Sequence, residues 1–452
     1  MFSIPCWQPV FQVAAARHRK FLHLITSMVR RGGLRVAASL VVSLGLLGGG
    51  AFGATSDSLR KIVVFRDGTS EQMQHQVVAR SGGQLLNLLP IVTGATITLP
   101  SQSAAQALAM LQADPTVIGV YEDPTVSGQD GGGDNVIVIT PARPPTPESY
   151  PWGLQAIHVP EVHADEPGVK GAGVTVAILD TGIDITHPDL SKNIKGGYNA
   201  LAGQDPQNYQ DDNGHGTHMA GIIAARMNNL GIIGAAYQAK IVAVKVLDQN
   251  GGGRLSDLIN GLGWIRANKI KVINMSLGFS EDNPLLAQAI ERLYEAGVIM
   301  VASAGNQGVT CAQDGGGDDG GGDSGCQPAP GGVNYPARYA QVISVAATNG
   351  ANEVTGYSQS GPKVDIAAPG GTKSGPRILS TNKGGGYGWG SGTSQAAAHV
   401  SGAITLVLQK NPKMSFNEVL SLLQSTATDL DVPEERQGAG LIDVEAMINA
   451  LR

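Results

Sequence analysis

The sequence predicts an α/β protein with a mostly parallel central sheet, preceded by a small α+β unit, and three observations carry that expectation. The runs 174–179, 241–247, 272–275, 298–302 and 342–345 are continuously apolar rather than alternating, as strands buried on both faces are. Helical patterns lie between them. Residues 255–268 set Leu258, Ile259, Leu262 and Ile265 on one stripe, and 284–296 opens with Pro284 at a permitted first-turn position. Ser415 with Glu418 is a capping-box pattern for a late helix. Finally, Asp180, Ser276 and Asn306 fall at the C-terminal ends of predicted strands, where open parallel sheets bind their ligands.

A chain of 452 residues, 42% hydrophobic and 15% charged, is long enough to bury one large core and a smaller one. A net charge of -6 gives no electrostatic footprint for nucleic acid or an anionic membrane surface. Residues 1–54 read as a leader: Arg30, Arg31 and Arg35 precede an apolar run at 36–47 that is too short to span a bilayer comfortably, and Ala51-Phe52-Gly53 offers small residues for a signal peptidase. Export to the extracellular space or periplasm is expected, with Met28 an alternative start. Cys6 lies in the leader, which leaves Cys311 and Cys326 as an even pair. A disulfide between them would close a loop with a chain-entropy effect of about 3 kcal/mol; two free thiols are the alternative.

Residues 55–124 form the small unit. Strands are predicted at 61–65, 84–89, 95–99 and 117–121, and helices at 70–80 and 101–113. From 125 to 149 the chain reads as a linker, flexible at Gly131-Gly132-Gly133 and extended at Pro141, Pro144, Pro145 and Pro147. Such a segment is open to proteolysis. The main domain occupies residues 150–452.

The chemistry centres on Gly392-Thr393-Ser394-Gln395-Ala396-Ala397-Ala398-His399, where a glycine-rich run opens an apolar helix. A serine there lies beside free backbone N–H groups and the positive end of a helix dipole, which suits a nucleophile whose product is an oxyanion. Taken alone it is equally an N-cap. A serine hydroxyl needs a base and a carboxylate to orient that base. His215 stands in Asn213-Gly214-His215-Gly216-Thr217-His218, and Asp180 ends the run at 174–179 and precedes Thr181-Gly182. The three motifs, in the order Asp, His, Ser, resemble the subtilisin-like serine proteases with an N-terminal inhibitor propeptide.

That resemblance implies a three-layer subtilisin-like domain, a small ferredoxin-like propeptide domain at 55–124, and a serine endopeptidase made as a proenzyme. Its catalytic residues would be Asp180, His215 and Ser394, with the Asn306 side chain donating to the oxyanion. Ser276-Leu277-Gly278 and Gly251-Gly252-Gly253 resemble the segments that pair with an extended substrate, a mode that reads backbone and tolerates many sequences. The implied partners are protein or peptide substrates and the chain's own propeptide. The mature enzyme would be a monomer without stable membrane association.

No cofactor is implied for catalysis. Structural calcium is implied at Asp189, in His187-Pro188-Asp189, with Asn229 in a loop one residue shorter than the family's. The acidic insertion between Cys311 and Cys326, with Asp314, Asp318, Asp319 and Asp323, reads either as a calcium-binding loop or as a solvated tether. It falls where the wall of the primary specificity pocket should be. His218 lies three residues from His215, but no third ligand stands at metal spacing. Where the family has Met, Ala, a small residue and Pro after the nucleophile, this chain has Gln395, Ala396, Ala397 and Ala398. A catalytically silent scaffold with the same fold is the alternative of another class, and the presence of all four chemical positions argues against it.

Overall fold

The computed structural model describes residues 59–128, 139–311, 326–328 and 332–452. The leader at 1–54, Gly131-Gly132-Gly133 and the four aspartates of the acidic insertion lie outside the described residues.

The small unit runs β1 (Arg60–Phe65), α1 (Glu71–Arg80), β2 (Gln84–Leu89), β3 (Gly94–Thr98), α2 (Ala104–Ala113) and β4 (Val117–Glu122). Ser70 caps α1 by accepting the Met73 N–H. The strands pair antiparallel in the order β2-β3-β1-β4. Alternation along β1 assigns its two faces. Val63 and Phe65 pack with Val77, Val78 and Leu111, whereas Ile62 and Val64 join a cluster with Leu258, Ile259, Leu262 and Leu286 of the main domain. The sheet thus covers its own helices with one face and is itself covered by the main domain on the other.

Next come β5 (Thr125–Gly128) and β6 (Thr140–Ala142), two short strands within the segment read as a linker. Each segment is held by backbone pairing with a partner strand that its own sequence does not reveal.

The main domain continues with β7 (Thr175–Asp180), β8 (Ile194–Asn199), α3 (His215–Ala224), β9 (Lys240–Lys245), β10 (Gly252–Arg254), α4 (Leu255–Ala267), β11 (Val272–Met275), β12 (Leu277–Gly278) and α5 (Pro284–Glu295). It is completed by β13 (Ile299–Ser303), β14 (Val309–Cys311), β15 (Cys326–Pro328), β16 (Ile343–Thr348), β17 (Ile366–Pro369), β18 (Ile378–Asn382), β19 (Gly386–Gly390), α6 (Thr393–Lys410) and α7 (Phe416–Thr426), besides shorter helical turns. Seven strands form one parallel sheet in the order β17-β16-β13-β11-β7-β9-β8. Successive residues of β7 serve opposite layers: Ile178 packs with Met219, Ile222 and Val400 of α3 and α6, and Leu179 with Leu258 and Leu286 of α4 and α5. This is the three-layer α/β fold expected. Among the described residues no helix is long and apolar enough to cross a membrane.

The predicted helix at 101–113 starts three residues later, at Ala104, and the capping box of Ser415 and Glu418 is formed. β8 and β17 carry no strong sequence signal. The Gly196-Gly197 pair in β8 contributes little side-chain packing, and its place at the sheet edge comes from pairing with β9.

Candidate active site

The three candidate residues come from the ends of three elements: Asp180 closes β7, His215 opens α3, and Ser394 is the second residue of α6. Asp180 is fully buried, and His215 Nδ1 lies 2.7 Å from its Oδ1 and 2.9 Å from its Oδ2. Oδ1 also accepts the Thr181 N–H at 2.7 Å. A carboxylate on Nδ1 fixes the ring and leaves Nε2 for proton transfer. Ser394 is 2% exposed, and its Oγ has no hydrogen-bond partner among the described residues. Nucleophile and base are often loosely paired until substrate arrives.

The start of α3 is set by a residue that sequence reasoning missed. Asp211 Oδ2 accepts the Thr217 N–H at 2.9 Å, doing for the helix what a capping side chain would do, while its Oδ1 accepts Thr181 Oγ1 at 2.9 Å and the Gly214 N–H at 2.8 Å. One buried carboxylate therefore ties the end of β7 to the start of α3. Burial pushes its carboxyl up, and these donors oppose that shift. The available signal was a carboxylate just ahead of a glycine turn, but the neighbouring Asp212 carries it equally. Gly214 has φ 122°, and a Cβ on Gly216 would lie 2.1 Å from the Gly182 carbonyl, so both glycines are required by the backbone. Lys245, also missed, donates to the Thr181 carbonyl at 2.6 Å and to Asp212 at 2.7 Å.

On the other side of Ser394, Asn306 Oδ1 accepts both the N–H of Thr393, at 2.9 Å, and its hydroxyl, at 2.8 Å. That engagement turns the amide nitrogen towards the turn ahead of Ser394. A Cβ on Gly392 would lie 3.0 Å from Asn306 Nδ2 and 3.1 Å from Gln395 Oε1. Gln395 is 3% exposed, and its Oε1 has no partner among the described residues. Two side-chain amides thus flank the turn that presents Ser394.

The two segments singled out for strand pairing, Ser276-Leu277-Gly278 and Gly251-Gly252-Gly253, contribute β12 and β10, which flank β5. β5 lies between β10 and β12 as the middle strand of an antiparallel sheet, with Val126 opposite Gly253, Ser127 opposite both Gly252 and Gly278, and Gly128 opposite Leu277. Gly251 itself turns into β10 at φ 75°. Ser276 Oγ donates to the Ser394 carbonyl at 3.0 Å, so the C-terminal end of β5 approaches the candidate nucleophile.

Asp189 is fully buried. Its Oδ2 accepts the Tyr387 hydroxyl at 2.9 Å and the Ile232 N–H at 3.3 Å, whereas Oδ1 has no partner among the described residues. Burial raises its pKa to about 6. Glu148 Oε1 accepts the N–H groups of Asn228 and Leu230, and its charge acts on Asp189 in the same upward direction. An orphaned carboxylate oxygen near a second carboxylate fits a hard cation. The Asn228 side chain acts on Asp189 in the opposite, lowering direction, while Asn229 is exposed at φ 66°. His218 is fully buried with its pKa lowered to about 3, mainly by burial, and its Nε2 meets the Gly388 carbonyl at 3.2 Å. Among the described residues no three His, Cys, Asp or Glu side chains are grouped to hold a metal. β14 and β15 pair antiparallel with Cys311 opposite Cys326.

A profile described as the subtilase family matches residues 171–440. Subtilisin E of Bacillus subtilis (strain 168) is 35% identical over 399 residues, which cover 88% of this chain and 92% of that protein. Subtilisin Savinase of Lederbergia lenta is 40% identical over 299 residues, 66% of this chain and 98% of that protein.

Proposed function

The chain belongs to the subtilase family and is a serine endopeptidase, and from that premise we propose that Ser394 is its nucleophile, His215 its general base and acid, and Asp180 the group that orients the imidazole. Ser394 Oγ attacks the scissile carbonyl and its proton passes to His215 Nε2. The oxyanion accepts hydrogen bonds from the Asn306 amide and from N–H groups at the start of α6. As the tetrahedral species collapses, His215 returns the proton to the leaving amine, and the same residues then drive hydrolysis of the acyl-enzyme. The observation that carries this reading is the buried Asp180–His215 pair at 2.7 Å.

The enzyme is made as a proenzyme and exported by its leader. The small unit acts as inhibitor and folding aid, a role supported by β5 pairing on both edges with β10 and β12, the segments expected to take an extended substrate. The chain is cut behind β5, by its own activity. The free Oδ1 of Asp189 together with Glu148 would hold a structural calcium ion, whose charge would balance theirs, and Cys311 with Cys326 would close a disulfide. Substrates are proteins or peptides, and the mature form is a secreted monomer.

A fluorophosphonate probe tests the core of this reading. Ser394 of the mature protein should be labelled, and Ser394→Ala should lose both labelling and activity, by a factor on the order of 10⁶ as in subtilisin itself, and remain uncut. Normal peptide hydrolysis by purified Ser394→Ala would overturn the assignment.

A further inference from the structure

β5 ends at Gly128, before Ser394, and leaves with the small unit once the chain is cut behind it. β6 lies downstream of that cut and stays attached to the main domain. It pairs antiparallel with β19, Thr140 opposite Trp389, Pro141 opposite Gly388 and Ala142 opposite Tyr387, and β19 leads within a few residues to Ser394. Just ahead of β6, the Ile139 side chain is seated on glycines. A Cβ on Gly388 would come within 2.2 Å of Ile139 Cγ2, and one on Gly390 within 2.9 Å of Ile139 Cδ1. The same point beside Gly390 is 2.6 Å from Gln395 Nε2 and 3.2 Å from His218 Cε1. Ile139 therefore lies alongside the residue that follows the nucleophile. Thr140 Oγ1 also donates to the Trp389 carbonyl at 3.4 Å, and Ala142 packs against the main core.

We propose that residues 139–142 form a second inhibitory strand, on the leaving-group side of Ser394, which survives the cut behind β5 and competes with the residues that follow the scissile bond of a substrate. This rests on the peptidase reading above. An exposed strand edge such as that of β19 accepts any extended backbone, and a segment tethered to the same chain holds it at high effective concentration. The strand is selective in what it blocks. Small substrates without leaving-side residues do not need its place, whereas polypeptides do. Full activity on proteins then requires a second cleavage, between Ala142 and the start of the main domain at 150, that lets the strand go.

The test uses full-length chain allowed to process itself, as wild type and as Ile139→Asp, which sets a charge on the glycine seat. Each is assayed on a peptide nitroanilide and on a quenched peptide carrying four residues beyond the scissile bond. The nitroanilide kcat/KM should agree within about twofold, while the quenched peptide should be cut about tenfold faster or more by Ile139→Asp, the scale of relief from a tethered competitor. The same gain should follow in wild-type sequence when a foreign protease site placed at 144–147 is cut and the released segment washed away. Equal rates on the quenched peptide before and after that release would overturn the proposal. Absence of nitroanilide hydrolysis in all forms would remove the peptidase premise instead.

Discussion

Asp123 of the small unit closes the N-terminus of α4 in the main domain: its Oδ1 accepts the Ser256 N–H at 2.8 Å and its Oδ2 the Ser256 hydroxyl at 2.7 Å. Arg60 joins them, pairing with Asp123 at 2.6 Å and with Asp257 at 2.8 Å. A helix of the main domain is thus capped by a residue of the small unit, and under the proposed maturation these contacts would go when the small unit leaves. Residues 59–128 added in trans should inhibit the mature enzyme. Asp123→Ala should weaken that inhibition by about 1–2 kcal/mol, or roughly 5- to 30-fold in Ki, with Asp123→Asn recovering part of it. An unchanged Ki for Asp123→Ala would show that the cap contributes nothing to the complex.

Asn306 has an observed contact and a proposed donor role that substitution can separate. Its Oδ1 anchors Thr393, and its Nδ2 faces the turn before Ser394. Asn306→Asp keeps the acceptor and removes the donor. It should lower kcat by about 10²–10³, the cost measured for the matching donor in subtilisin, with little change in KM. A variant with wild-type kcat would mean that the residue serves only to hold Thr393.

Gln395 stands where the family resemblance implies a methionine, which oxidises to a bulkier polar sulfoxide. Met275 and Met300 are fully buried, shielded from oxidant. Wild type should keep its activity in peroxide, and Gln395→Met should lose it in step with sulfoxide formation at position 395. Identical inactivation rates for the two proteins would show that residue 395 does not border the reacting atoms.

Asp189 gives a pH dependence whose sign is fixed by its environment. Its pKa in the folded protein, about 6, lies above the ordinary 3.8, so the folded state holds this proton more tightly than the unfolded one. The contribution to stability is full below about pH 4 and is lost as pH rises towards 6. Calcium bound at Asp189, as proposed, would oppose that loss. In chelator, the Tm of wild type relative to Asp189→Asn should therefore fall across this window, and calcium should restore it. Calcium stabilising Asp189→Asn as much as wild type would move the ion elsewhere.

Periodicity and residue chemistry made much of the molecule legible. The continuous apolar runs became β7, β9, β11, β13 and β16, because a strand covered on both faces has no polar side to show. Asp180, His215, Ser394 and Asn306 were singled out from the short motifs around them, since glycine turns and helix starts are local events, and the fold pairs Asp180 with His215 and sets Asn306 on Thr393 beside Ser394.

Only the tertiary structure decided where backbone meets backbone. β5 and β6 were read as linker because strand pairing uses N–H and C=O groups that every residue carries, so neither segment needed a distinctive sequence to find its partner. Asp211 and Asp212 look alike in one dimension, and burial between β7 and α3 chose Asp211. In the same way Asn229, at φ 66°, is exposed, and the neighbouring Asn228 is the amide that acts on Asp189. The sequence by itself determined which elements form and which chemical groups are available. The fold determined which of those groups lost their water, and a carboxylate or amide acquires its role from the partners it then finds.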